Sequence, residues 1–527
     1  MPARRPAALA TVAGTCVTVV LTAVLVWPAL GRGQLLYRDF VSVPDPSVTA
    51  RTLGLDGPAP RAVPLDLVIA LLDPFVPSGL QQQLILLTTL LLAGLGVTVL
   101  LRHRGPVATA VGAALATWSP YAVERLLLGQ PPTLLAVATL PWIVVVAREV
   151  TGRRRWLALT VVAALPAALT PVGGVTAAAA ALVAAVAFRR ASGRDLAALA
   201  GVAFLWCSPW LLAVAAGHTD AGQADGAQAF AGRADGLLGV LDVLTGGGVW
   251  SVAATPGSRA RLLPVLVGCL ALALAAVGAA TLRRHRWLAV SCLVGPPVVA
   301  LVLATPTGIA VLAWAQSVPG VALVRDTHRW LGISAMGVAV LAPLGLLWLR
   351  GVTRPGASES QGRLVRAAVA TSTVLVGVSL AVLSVPDAPA RLHAAYRPVT
   401  FPTSWQRVVE TVGEQHALLL PWQPMRAVSW AGPQPFLDPL PLALRGGVTV
   451  ARDLLVARDG RLLRVGSADP PQSADWAKGE LDSAELRGLG IELVVEWLGT
   501  PGRLPTTHDG LVEVLREDGF AVWAVRG

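Results

Sequence analysis

The sequence predicts a polytopic α-helical membrane protein, about eleven transmembrane helices followed by an extracytoplasmic α/β domain. Three observations carry that prediction. First, 54% of the 527 residues are hydrophobic and only 14% are charged, where soluble domains carry roughly a quarter; mean hydropathy is +0.64. Second, uncharged runs near the ~20 residues that a ~30 Å hydrocarbon core demands recur through the first 385 residues. Third, charge is segregated by loop. With the N-terminus inside, the inner connections hold 18 basic and 3 acidic residues, the outer loops 10 and 11, and the tail from 386 onward 14 and 17. The net charge of +11 is then an orientation signal of the positive-inside kind, and no nucleic-acid partner is expected. Such apolar content excludes intrinsic disorder.

The runs are 6–30, 80–101, 106–121, 132–147, 156–171, 172–188, 196–216, 262–282, 287–304, 330–349 and 367–385. The first follows Arg4 and Arg5, as a signal peptide would, but it is longer than a signal core and further spans follow it, so it reads as a retained helix. From 156 to 188 no charge occurs over 33 residues. One helix of that length would reach ~50 Å at ~1.5 Å per residue. Thr170-Pro171-Val172-Gly173-Gly174 is therefore expected to break it into a hairpin of two short helices. An odd number of spans puts the tail outside the cytoplasm, in a multi-pass protein of the plasma membrane.

Four outer segments follow from these spans: 31–79, with a short helix around Leu65–Leu72; a brief connection at 121–131; a Gly-, Ala- and Asp-rich loop at 217–261; and 305–329. The tail has about twice the charge density of the rest. A helix near Ser404–Glu414 precedes a strand Ala417–Leu420, a helix near Ser473–Leu486 precedes Ile491–Glu496, and a helix near Leu511–Glu517 precedes Phe520–Val525. This alternation predicts a small α/β domain, and 142 residues suffice for its own core. The division is 1–385, transmembrane, and 386–527, soluble. The cysteines (Cys16, Cys207, Cys269, Cys292) all lie in uncharged runs, which offers neither a disulfide framework nor a thiolate metal site.

Charged groups at the outer face are the candidates for chemistry, because burial near lipid is costly. Asp39 lies soon after the first helix, among aromatic and apolar neighbours, where a carboxylate could act as general base toward a hydroxyl; an exposed aspartate paired with Arg38 is the plainer alternative. Glu124-Arg125 interrupts two apolar runs. Arginine grips phosphate oxygens bidentately, though an arginine whose stem snorkels to the headgroups reads equally well. Arg325, Asp326, His328 and Arg329 form the densest polar cluster abutting a span and could bind phosphate or simply stop the helix. Trp405, Trp422, Trp430 and Trp476 could stack on sugar rings or anchor a core. No Gly-rich phosphate loop, His-Glu-x-x-His helix or Gly-x-Ser-x-Gly elbow occurs.

An inside N-terminus, a long first outer loop with an early acidic residue, many spans and an external C-terminal domain together resemble the GT-C superfamily of polytopic glycosyltransferases. More locally, Tyr37-Arg38-Asp39-Phe40-Val41-Ser42-Val43-Pro44, Pro60-Arg61-Ala62-Val63-Pro64-Leu65-Asp66, and Ser119-Pro120-Tyr121-Ala122-Val123-Glu124-Arg125 with Pro141-Trp142 look like a group of actinobacterial membrane proteins. That group is distantly similar to the arabinofuranosyltransferases of mycobacterial envelope synthesis. Leu420-Pro421-Trp422-Gln423 and the stretch 486–495 also fit it. The resemblance implies that Asp39 is the catalytic acidic residue, with Asp45 the nearest match to a second one. Substrate contacts are expected from Arg38, Glu124, Arg125, Arg325, Asp326, His328 and Arg329, with the donor phosphate near Arg125, Arg325 or Arg329. No strict Asp-x-Asp or Glu-x-Asp pair is present, so no cofactor is expected, and a divalent metal stays open.

The leading expectation is an inverting glycosyltransferase at the outer face of the plasma membrane. A polyprenyl-phosphate-linked sugar is the donor, and an envelope glycan or lipid is the acceptor, with membrane lipid around the donor chain. A transporter or flippase for a lipid-linked precursor is the alternative from another class; it calls for ionisable groups in mid-membrane and paired halves, and the runs show neither. A catalytically silent scaffold of envelope assembly is the third.

Overall fold

The computed structural model describes residues 4–526 apart from 57–61, 217–224, 317, 319–324, 354–361, 459 and 467–468. Pro60 and Arg61 of the quoted motifs, Arg354 and Glu359 of the charge count, and the start of the 217–261 loop lie outside the described residues. The helices are α1 Arg4–Val26, α2 Leu65–Leu72, α3 Ser78–Leu101, α4 Pro106–Thr117, α5 Pro120–Leu127, α6 Pro131–Ala138, α7 Leu140–Glu149, α8 Arg153–Ala168, α9 Pro171–Ala184, α10 Gly193–Ala216, α11 Asp225–Ala229, α12 Gly236–Leu244, α13 Leu262–Thr281, α14 Arg286–Leu303, α15 Pro306–Ala315, α16 Leu331–Thr353 and α17 Arg363–Ser384, then α18 Ala388–Ala395 and α19 Thr403–Val412 in the tail.

Among the described residues, nine helical segments are long and apolar enough to cross a membrane. The chain is a multi-pass membrane protein. The two remaining apolar runs form shorter helices, α4 with 12 residues and α8 with 16. The uncharged stretch after Arg155 breaks where Pro171 follows the N-capping Thr170, whose side chain accepts from Gly173 N–H. Helix α4 is short because it is an interior helix: Val107 to Thr117 are all buried. Thr109 Oγ1 donates to the Ala10 carbonyl (2.6 Å), and Trp118 Nε1 to the Val385 carbonyl (3.2 Å). These bonds tie its two ends to the start of α1 and to the end of α17. Helices α13 and α16 cross where glycines face each other. A Cβ on Gly278 would lie 2.0 Å from the Leu341 oxygen, and one on Gly345 1.9 Å from the Leu274 oxygen, the close backbone approach that small residues permit in membranes.

The strands are β1 Gln34–Leu35, β2 Pro398–Val399, β3 Ala417–Leu420, β4 Met425–Arg426, β5 Phe436–Leu437, β6 Val448–Thr449, β7 Leu454–Arg458, β8 Arg461–Val465, β9 Leu493–Trp497, β10 Leu511–Glu517 and β11 Phe520–Val525. The main sheet runs β10-β11-β9-β3-β6, with β3 parallel to β9 and β6 and the β9-β11-β10 side antiparallel. Strand β3 is wholly buried, and so is β9, as sheets covered on both faces require.

Three expectations for the tail are corrected. Leu511–Glu517 is a strand, paired in a hairpin with β11 through Asp518-Gly519; Asp-Gly with a positive φ at Gly519 (86°) is a favoured two-residue hairpin turn. The stretch 473–486 is two short helices, Ser473–Trp476 and Ser483–Gly488. The hairpin β7–β8 was not expected; its inner Val456, Leu463 and Val465 pack on Ala229 and Phe230 of the 217–261 loop. The loop 31–79 is also built into the tail: β1 pairs with β2, and Leu36 and Val43 lie buried in one core with Trp405, Leu419 and Trp497.

Candidate functional site

The site is assembled around α5, a helix within the segment 121–131 that the sequence predicts as a brief connection. Ser119 caps it, accepting from Ala122 N–H, with Pro120 at the first turn. At its C-terminal end every free carbonyl finds a donor. Leu128 N–H takes Glu124 and Gln130 N–H takes Arg125 (3.0 Å each). Tyr396 Oη donates to Leu126 (2.6 Å), and Tyr37 Oη to Leu127 (2.9 Å). The two tyrosine rings pack at 5.3 Å, so the first loop and the tail both grip the end of this helix.

Five of the expected substrate-contact residues come together here. The Arg125 guanidinium, fully buried, forms a two-pronged contact with Asp326, Nη1 to Oδ2 at 2.5 Å and Nη2 to Oδ1 at 2.9 Å. Arg329 Nε lies 3.3 Å from Asp326 Oδ2 and is the more exposed of the two arginines, with 23% of its side chain accessible. Glu124, also fully buried, accepts from Val249 N–H (3.0 Å) and lies 3.1 Å from His328 Nε2. The Tyr121 ring stacks on His328 at 5.4 Å, and its hydroxyl donates to the Arg329 carbonyl. Burial alone would raise the Asp326 carboxyl, but Arg125, with Arg329 and His328, overrides it and holds the group well below the usual carboxylate range. Burial likewise opposes the charge on Arg125, and Asp326 more than restores it. Glu124 has no such partner in bidentate contact. Desolvation pushes it up to about 7 against the pull of Arg259 and the Val249 N–H.

A second buried pair lies alongside. Asp242 of α12 contacts Arg259 (2.7 Å and 2.5 Å), whose other donors go to Thr245 Oγ1 and the Ser384 and Pro264 carbonyls. Burial first, then the nearby Glu124, lift Asp242 to about 6. Sequence reading missed this pair, because both residues stand in a Gly-rich loop with no motif around them.

Asp39 is exposed, and its Oδ2 accepts from Gln130 Nε2 at 3.2 Å. Arg38 beside it has a left-handed backbone (φ 50°), pinned on both sides by the tail: its N–H donates to the Pro435 carbonyl and its carbonyl accepts from Leu437 N–H. Such strain persists only where surrounding bonds over-determine it. The Arg38 side chain turns back onto the Tyr37 hydroxyl (3.1 Å). Arg325 is half-buried with its guanidinium over the Phe230 ring at 4.4 Å. Asp45, exposed and also left-handed (φ 51°), is in none of the hydrogen bonds or ion pairs of this cluster. Trp405 and Trp476 are core residues, 4% and 1% exposed. Trp422 packs on Trp476 with its Nε1 on Asp469, and Trp430 packs between Phe401 and Phe436. All four tryptophans thus take part in packing, Trp405 and Trp476 fully and Trp422 and Trp430 while half-buried. Among the described residues no group of three His, Cys, Asp or Glu side chains could hold a metal ion.

No protein-family profile matches the chain, and no curated protein matches it. Among solved structures, the single-particle cryo-EM structure of the arabinofuranosyltransferase AftD from mycobacteria is similar, with a TM-score of 0.54 at 16% identity. The match covers 98% of this chain but only 40% of that one. At this identity the likeness is one of fold: a helical membrane protein with a C-terminal sheet-bearing region, laid out as in a membrane glycosyltransferase.

Proposed function

We propose that this chain is an integral membrane glycosyltransferase of the GT-C kind, taking a sugar from a polyprenyl-phosphate donor to an envelope glycan or lipid acceptor at the outer face of the plasma membrane. The observation that carries the reading is the exposed carboxylate of Asp39, tied through Gln130 to the buried Arg125–Asp326 pair and thence to Arg329. A candidate base and a partly exposed cation thus share one hydrogen-bonded frame. The fold likeness to an arabinofuranosyltransferase and the positive-inside charge pattern agree with it. Arg125 is neutralised by Asp326 and presents no free face, so its role is to hold the frame; Arg329 is the cation that faces the donor phosphate. Asp39 takes the proton of the acceptor hydroxyl, the oxygen attacks the anomeric carbon, and the polyprenyl phosphate leaves with the bonding pair. Attack opposite the leaving group inverts the anomeric centre.

The test is transfer by the purified chain in nanodiscs, supplied with polyprenyl-phosphate-linked arabinofuranose and a soluble oligoarabinofuranoside, then with other polyprenyl-phosphate sugars. The expected product carries the anomeric configuration opposite to the donor's, by NMR. Retention would contradict a single displacement, and movement of intact donor across the bilayer without transfer would favour the flippase.

A further inference from the structure

Gln130 was not among the candidate residues, and its side chain bridges the two halves of the site. Its Oε1 accepts from Arg125 Nη1 at 3.0 Å, and its Nε2 donates to Asp39 Oδ2 at 3.2 Å. The direction of that bridge is chemically fixed. A guanidinium has donors only, so the amide oxygen must face Arg125, and the NH₂ must then face Asp39. Arg125 cannot turn away, because it is fully buried and both of its terminal nitrogens are bonded to Asp326. The amide backbone is held as well, Gln130 N–H on the Arg125 carbonyl and the Gln130 carbonyl on Thr133 N–H.

The residue before it makes room for the loop. Gly129 has a φ of 73°, and a Cβ there would lie 2.6 Å from the Tyr37 oxygen and 2.9 Å from the Asp39 nitrogen. The backbone of the Asp39 loop therefore rests directly on the Gly129-Gln130 turn.

We infer that Gln130 is a positioning residue for Asp39: it occupies Oδ2, leaves Oδ1 to the acceptor hydroxyl, and links the base to the arginine frame that faces the donor. This inference rests on the reading of Asp39 as the base. One carboxylate oxygen held by a donor and the other left free fixes the direction in which a proton can be taken, and misplacing a reacting group by ~1 Å costs on the order of 10²-fold in rate.

Two measurements on the full chain in nanodiscs test it. In transfer assays with polyprenyl-phosphate-linked arabinofuranose, Gln130→Leu is expected to lower kcat by on the order of 10²-fold with the donor KM little changed. Gln130→Glu, which keeps an acceptor for Arg125 but loses the donor to Asp39, is expected to fall as far at matched abundance. The double variant Asp39→Asn/Gln130→Leu is expected to be no slower than Asp39→Asn, since two residues acting as one unit do not add. The second measurement needs no turnover: carbodiimide labelling of Asp39, read by mass spectrometry, is expected to rise in Gln130→Leu while labelling of Asp45 stays the same. Full kcat in Gln130→Glu, additive losses in the double variant, or unchanged Asp39 labelling would overturn the inference. If Asp39→Asn itself transfers at the wild-type rate, the base assignment fails instead, and the labelling still decides the contact.

Discussion

Glu124 is a carboxylic acid with no solvent contact, one backbone donor and a neighbouring imidazole. Its folded value of about 7 stands above the ordinary 4.5, and that of Asp242, about 6, stands above 3.8. These two groups therefore bind more protons in the folded than in the unfolded chain between about pH 4 and 7, and their contribution to stability falls as pH rises through that window. The groups facing Glu124 are His328, Arg125, Arg259 and Asp242. We predict that from pH 5 to pH 8 the melting temperature of the detergent-solubilised Glu124→Gln protein, whose side chain still accepts from Val249 N–H, falls less or rises more than that of wild type. An unaltered slope would assign the proton elsewhere. At this scale the sequence was informative about which residues matter and silent about their partners. Glu124, Arg125 and Asp326 stand out as charges beside apolar runs, but the Arg125–Asp326 contact spans 201 residues, and no local pattern encodes such a pairing. Gln130, Asp242 and Arg259 left no signal of their own.

Among the elements, the uncharged runs were legible because a bilayer imposes a length, and the Thr170-Pro171 break because capping and proline geometry are local. Strand β10 was misread as a helix. The strand signal lies in Val512 and Val514, two residues apart, and in the Asp518-Gly519 turn that closes the hairpin. Helix α5 is hidden for a different reason: it has only eight residues, its adjacent Glu124 and Arg125 read as a charged break between apolar runs although both are buried, and only Ser119-Pro120 announces its start. The crossing of α13 and α16 offers a direct test of packing. Gly345→Leu drives a side chain into the Leu274 carbonyl and is expected to cost about 3 kcal/mol or more, the upper part of the range for overpacking, seen as a lower melting temperature. Gly295→Leu in α14, where nothing lies within 4 Å, is expected to stay within about 0.5 kcal/mol of wild type.

For the molecule as a whole, the membrane part and the tail are joined by more than the chain. The loop 31–79 contributes a strand and two core residues to the tail, the tail pins Arg38 beside Asp39, and the β7–β8 hairpin packs on the loop that holds Phe230 under Arg325. The sequence predicted the two parts but not this interlock, since loop and tail lie more than 350 residues apart. The interlock holds the exposed carboxylate of Asp39 in place. The most direct test of Asp39 as the base is the rate of labelled-sugar transfer by membranes carrying wild type, Asp39→Asn or Asp45→Asn at matched abundance. Removing a general base costs ~10²–10⁴-fold, so the account predicts a loss of that size for Asp39→Asn, with folding intact and Asp45→Asn near wild type. Full activity in Asp39→Asn would contradict it.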